Sequence, residues 1–207
     1  MKTIAWAVGI VAAAAVALIG YSFYAASQKR AQQRQVIAMV QDATGKLRQA
    51  LTQKSSPELV DALDADLKAA RAPRDPQLAD AAEHYILSAR EIARRRSDTD
   101  RFWATAYESR NALAGHMRRA ERRSEPWLRG AVTLKKRVDD DYFQVDITLK
   151  ALDELLYKLP EEEKRLDGRI DAALLLERPA IDVARAQAQA DLKRASDEVA
   201  ATRRMVP

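Results

Sequence analysis

From Leu128 to Leu159 the chain carries a repeat that leaves it few ways to fold. Leu128, Ala131, Lys135, Val138, Tyr142, Val145, Leu149, Leu152, Leu156 and Leu159 alternate spacings of three and four over about four heptads. Only Lys135 is polar. A stripe that keeps this period belongs to a helix laid along other helices, in the manner of a coiled-coil seam. The rest of the sequence agrees. Gly and Pro number only 6 and 7 in 207 residues, and strong helix formers dominate. Alternating tracts of β-branched and aromatic residues are missing, so strands have little support. Hydrophobic residues make up 47% of the chain, but 40 of them are Ala, so the helices are expected to pack closely and bury little area each. The expectation is an all-α fold: an N-terminal transmembrane helix followed by an elongated antiparallel bundle with coiled-coil-like hairpins.

The prolines divide the chain into helices. Ser55-Ser56-Pro57-Glu58 and Asp75-Pro76 place a capping side chain before a proline in the first turn. Ser124-Glu125-Pro126 repeats the device, displaced by one residue. Pro160, followed by Glu161, Glu162 and Glu163, predicts another helix start, where the dipole favours carboxylates. Arg178-Pro179 predicts a kink or a restart. Between these marks the apolar spacing is helical: Val36, Val40, Ala43, Leu47 and Leu51; Leu59, Leu63 and Leu67; then Leu78 onwards through Tyr85, Ile92 and Trp103. Ser97-Asp98-Thr99-Asp100 is a possible break in the third of these. A last helical region is expected from Pro160 to about Arg204.

Thr3 to Ala26 contains no charged residue. As a helix it is roughly 36 Å long, enough for a hydrocarbon layer of about 30 Å. Trp6 near one end and Tyr21, Phe23 and Tyr24 near the other suit the two interfaces. A cleaved signal peptide is the competing reading, but its apolar region would be shorter. The organisation expected is a signal-anchor helix over 1–27, a connecting helix over 28–54 and a bundle domain over 55–207. Lys29, Arg30 and Arg34 follow the segment and favour a cytoplasmic domain by the positive-inside rule. A short N-terminus before an apolar run favours export instead. The abundance of Ala and Arg matches GC-rich bacterial genomes. Together these give a single-pass protein of the bacterial inner membrane with a periplasmic domain.

Chemistry is sparse. Without Cys there is no disulfide, thiolate metal site or Cys nucleophile. The two histidines, His84 and His116, lack the Glu-x-x-His and His-x-x-x-His spacings of bundle metal sites and read as structural. No phosphate loop, nucleophile elbow or dinucleotide fingerprint occurs. Runs such as Asp139-Asp140-Asp141 fan out around a helix and do not converge on one ion. No catalytic residue, metal or cofactor is expected. Net charge is +5, from 35 basic and 30 acidic residues, which is too mild an excess to argue for nucleic acid.

The basic residues cluster at Arg94-Arg95-Arg96, Arg118-Arg119, Arg122-Arg123 and Lys135-Lys136-Arg137. Arg118, Arg119, Arg122 and Arg123 precede the turn at Pro126 and concentrate positive charge at a hairpin tip. Trp127 follows the turn, either stapling the tip by packing or standing out as an anchor for a partner. These five residues are the candidate partner-binding site. The functional expectation is a membrane-anchored helical scaffold or adaptor that presents helix faces to a partner protein or a second copy. A sensory or ligand-binding bundle, or a cytoplasm-facing nucleic-acid binder, are the alternatives.

Overall fold

The computed structural model describes the backbone of all but residues 1, 54–56, 71–75, 120–123 and 207, and within its helices the side chains of all but 2–20, 57, 67, 69 and 70. Five α-helices follow one another: α1 (Lys2–Thr52), α2 (Pro57–Ala70), α3 (Pro76–Met117), α4 (Glu125–Leu166) and α5 (Arg178–Arg203). A single 3₁₀ turn, Ala172–Leu174, lies between α4 and α5. No strand occurs among the described residues.

The antiparallel pair α3–α4 is the spine. Each helix has 42 residues, about 63 Å at 1.5 Å per residue. α5 packs along α4, while α1 and α2 pack on α3. The seam read from the sequence of α4 faces inward: Ala131, Val138, Tyr142, Val145, Leu149, Leu152, Leu156 and Leu159 are all buried. They join Val36, Val40, Ala43 and Leu47 of α1 and Ala81, Tyr85, Ile92 and Leu113 of α3 in one apolar cluster. The exceptions are Leu128, 37% exposed, and Lys135, which is half-buried. Polar links fix the register between helices: Lys46 to Asp66 (2.5 Å) for α1–α2, Arg90 to Asp64 for α2–α3, and Arg185 to Asp153 (3.2 Å) for α4–α5. Such partly exposed pairs contribute about 0–1 kcal/mol each, so burial holds the bundle and the ion pairs align it.

One boundary expectation changes, at Pro160, while the continuation of the third helix through Trp103 holds. α3 runs through Ser97–Asp100 without a break. Thr99 is fully buried and its hydroxyl donates to the Arg95 carbonyl (2.7 Å), while Asp98 and Asp100 pair with Arg101 and Arg96. The side chains that compete with helix elsewhere are satisfied inside it here. α4 likewise continues through Pro160 to Leu166. Proline forgoes one backbone bond, but stopping there would leave Leu166, fully buried, outside the core. Glu161–Glu163 therefore occupy the last turns of a helix and not the first. The true break follows, at Gly168, whose φ of +72° is the left-handed region that glycine enters without steric cost. Asp171 caps the 3₁₀ turn by accepting from Ala173 N–H (3.0 Å), and Pro179 restarts the helix as the first turn of α5.

α1 is one uninterrupted helix across both the 1–27 and 28–54 segments. The apolar stretch read as a membrane anchor falls mostly on residues 1–20, outside the described side chains. Among the described residues no helix is long and apolar enough to cross a membrane.

Candidate interaction surface

The hairpin tip is built from three residues that lock together. Ser124 caps α4, its hydroxyl accepting from Trp127 N–H (3.3 Å). That places the indole against His116 near the end of α3, with ring centroids 5.4 Å apart and planes 16° from parallel. Trp127 Nε1–H donates to the His116 carbonyl (3.1 Å). His116 Nε2 lies 2.8 Å from the Trp127 carbonyl; a carbonyl only accepts, so Nε2 carries the proton. Trp127 is consequently 8% exposed. Of the two roles open to it from the sequence, its geometry here is that of a packed staple.

Gly130, one turn further on, makes room for this arrangement. A Cβ built there would sit 2.8 Å from His116 Cε1. The imidazole is held by its stack and its hydrogen bond, so it has little freedom to retreat. Gly130→Ala is expected to destabilise the domain by about 1–3 kcal/mol, as overpacking does, although alanine is the better helix former. Urea denaturation monitored by circular dichroism reads this directly, and a gain in stability would refute it.

The staple leaves other groups outside. Arg118 and Arg119 are exposed just beyond α3. Arg122 and Arg123 lie outside the described residues. On the other side of the turn Leu128 and Val132 are 37% and 57% exposed. Among the described residues no third helix covers them, because the last turn of α5 lies level with Asp139 of α4, where Arg203 and Asp139 line one groove. The tip is thus a two-helix projection with a basic and an apolar component.

Two further clusters were not legible in advance. Midway along the bundle, Trp103 and Tyr107 of α3 stack on each other (5.4 Å), and Trp103 meets Tyr142 of α4 edge-on (5.9 Å). Arg194 of α5 lies over both α3 rings and donates to the Tyr107 hydroxyl. One turn on, Arg110 pairs with Glu198 (3.1 Å). Burial pushes the Tyr142 hydroxyl up to about 12, keeping it neutral. The advance signals were the place of Trp103 in the α3 stripe, which pointed to packing, and the i, i+4 spacing of Tyr107 from it.

The second cluster joins α1, α3 and the end of α4. Thr44 donates its one hydroxyl proton to the Val40 carbonyl (2.7 Å), so Tyr85 O–H must be the donor in the 2.9 Å Tyr85–Thr44 bond. Burial pushes the Tyr85 hydroxyl up to about 12. Nearby Glu163 is half-buried, and burial pushes its carboxyl up to about 7 against a Leu176 N–H bond and the Arg178 charge. A carboxyl raised from 4.5 in the unfolded chain to about 7 when folded favours the folded state most at low pH. That stability is fully present below pH 4.5 and is lost as pH rises through 7. Glu163→Gln should therefore leave stability at pH 4 nearly unchanged and raise it at pH 8. Screening at a half-exposed site limits the gain to about 1–2 kcal/mol. Parallel melts at the two pH values check it; an equal effect at both would refute the assignment.

Among the described residues, no three His, Asp or Glu side chains gather as a metal site would require. No protein-family model, curated protein or solved structure matches the chain.

Proposed function

We propose that this protein is a membrane-tethered helical scaffold of the bacterial cell envelope. Its N-terminal segment is the tether, its domain lies on the periplasmic side, and the α3–α4 tip docks a partner protein. The tip carries this reading. It projects beyond the end of α5 and sets exposed Arg118 and Arg119 beside exposed Leu128 and Val132. Interfaces are commonly built from an apolar centre with a charged rim, and this rim fits an acidic partner surface. The tether is supported by the charge-free run Thr3–Ala26, long enough as a helix to span a bilayer. The helix that begins there ends inside the core, at Leu47 and Ala50, so the tether and the bundle share one rigid element.

The test uses the full chain in cells. It should stay with membranes after carbonate washing, and deletion of residues 1–27 should release it. Protease added to intact spheroplasts should digest the domain; protection until lysis would overturn the periplasmic placement. A photo-crosslinker at position 132, exposed at the same tip, should capture an envelope protein, and the pair Arg118→Glu and Arg119→Glu should abolish capture. Capture unaffected by that charge reversal would refute the tip as the docking site.

A further inference from the structure

α4 has a second seam on the side away from its core. Phe143 and Ile147 are exposed there at 59% and 43%. The same three-and-four spacing continues from them in both directions through exposed residues. It reaches Asp140, Lys136, Thr133 and Arg129 towards the N-terminus, and Lys150, Glu154, Tyr157 and Glu161 towards the C-terminus. This outer stripe has a mirror order about the level of Val145. Phe143 and Ile147 lie two residues on either side of it. Asp140 and Lys150 lie five away, Lys136 and Glu154 nine, Arg129 and Glu161 sixteen. Every charged position is matched by the opposite charge at the same distance.

We propose that this face pairs with the same face of a second copy, α4 against α4, antiparallel, about a two-fold axis at the level of Val145. A two-fold interface is self-complementary: if residue i meets residue j, then j meets i. In an antiparallel pair centred on Val145, residues equidistant from it meet. Phe143 then packs on the partner's Ile147, and the flanking contacts are Asp140 to Lys150, Lys136 to Glu154 and Arg129 to Glu161, each made twice. A parallel in-register pair would instead set each charge against its own kind, so the pattern selects the antiparallel arrangement. Lys150 and Arg129 now bond to Asp146 and Glu125 within the helix. Exposed pairs of that kind are worth only about 0.3–0.5 kcal/mol and exchange readily.

The apolar centre has a place to go. Beside Phe143, a groove of about 320 Å³ opens between α4 and α5, floored by Tyr142, Ala195 and Val199. It accepts a large apolar side chain from the facing copy. The strip from Arg129 to Glu161 is about 48 Å long and 10 Å wide, roughly 1,000 Å² over both copies. That is the lower bound for a specific interface, so the dimer forms in the micromolar range. The inference rests on neither the tip nor the membrane tether: α1 leaves the bundle at the end away from the tip, so the antiparallel pair sends its two α1 helices out at opposite ends and is an alternative to anchoring both copies in one membrane.

Sedimentation equilibrium of the full chain in detergent, from about 1 to 200 μM, tests it. A reversible dimer is expected. Asp140→Lys and Lys150→Asp should each weaken it about tenfold, and the double variant D140K/K150D should return to within threefold of the parent. Phe143→Asp should leave a monomer. All three positions are exposed, and unchanged melting curves confirm that each variant folds. A parent chain that stays monomeric at 200 μM would overturn the proposal. So would a dimer indifferent to Phe143→Asp, or one that the double charge swap fails to restore.

Discussion

Trp127→Ala should cost the domain about 3–5 kcal/mol, the usual loss when a buried Trp is truncated. The indole does three things at once. It covers the end of the core at 8% exposure, stacks on His116, and satisfies the His116 carbonyl. Alanine removes all three and leaves a cavity beneath the turn. For a chain of this length the melting temperature should fall by about 6–20 °C. Trp127→Phe separates the contributions: the ring survives and the Nε1–H bond does not. Because Arg119 N–H also donates to the His116 carbonyl (3.2 Å), that variant should lose only about 1 kcal/mol. Leu128→Ala, one residue on and exposed, should change stability by less than about 0.5 kcal/mol. A Trp127→Ala variant as stable as the parent would mean that the residue serves a partner and not the fold.

Leu156→Ala is the matching expectation for the middle of the seam. Leu156 is completely buried in the cluster that unites α1, α3, α4 and α5. Truncation there should cost about 2–5 kcal/mol, made up of lost transfer energy and a residual cavity. Helices as rich in alanine as α5 have few large side chains that can swing in to fill the space, which puts the loss towards the upper end. In urea the midpoint should fall with the slope unchanged. Tyr157→Ala, next along the helix and 65% exposed, is the control. Equal losses at the two positions would mean that α4 is rotated from the orientation described.

The α4 seam was legible because a heptad repeat is a local property, readable from a few turns of chain. Leu128 departs from it for a reason no local pattern holds: α5 ends level with Asp139, about three helical turns short of Leu128. Pro160 misled for a related cause. Proline with three following glutamates satisfies the local rules for a helix start, yet Leu166 draws the helix six residues further into the core. At the tip, the sequence marked Trp127 as a residue with two possible roles. Its partner, His116, lies across a turn whose path only the assembled hairpin defines. Arg194 meets Tyr107 across 87 residues, a distance at which spacing carries no information. The outer stripe of α4 was present in the sequence throughout, hidden because its charges look like any solvated face until the inward side is known.

The Thr44–Tyr85 bond spans 41 residues, and that separation sets a clock during synthesis. The apolar edge of α1, with Val36, Val40 and Leu47, leaves the ribosome well before the stretch of α3 that buries it. At about 5–20 residues per second, the wait is roughly 2–8 s, far longer than a helix takes to form. The α3–α4 hairpin has no such delay, because its strands of contact begin at a short turn and close as they emerge. A cell making this protein therefore handles a finished helix with an uncovered greasy edge for several seconds per chain. That interval is when shielding of α1, by a chaperone or by a membrane surface, would act, before the bundle exists to bury the edge itself.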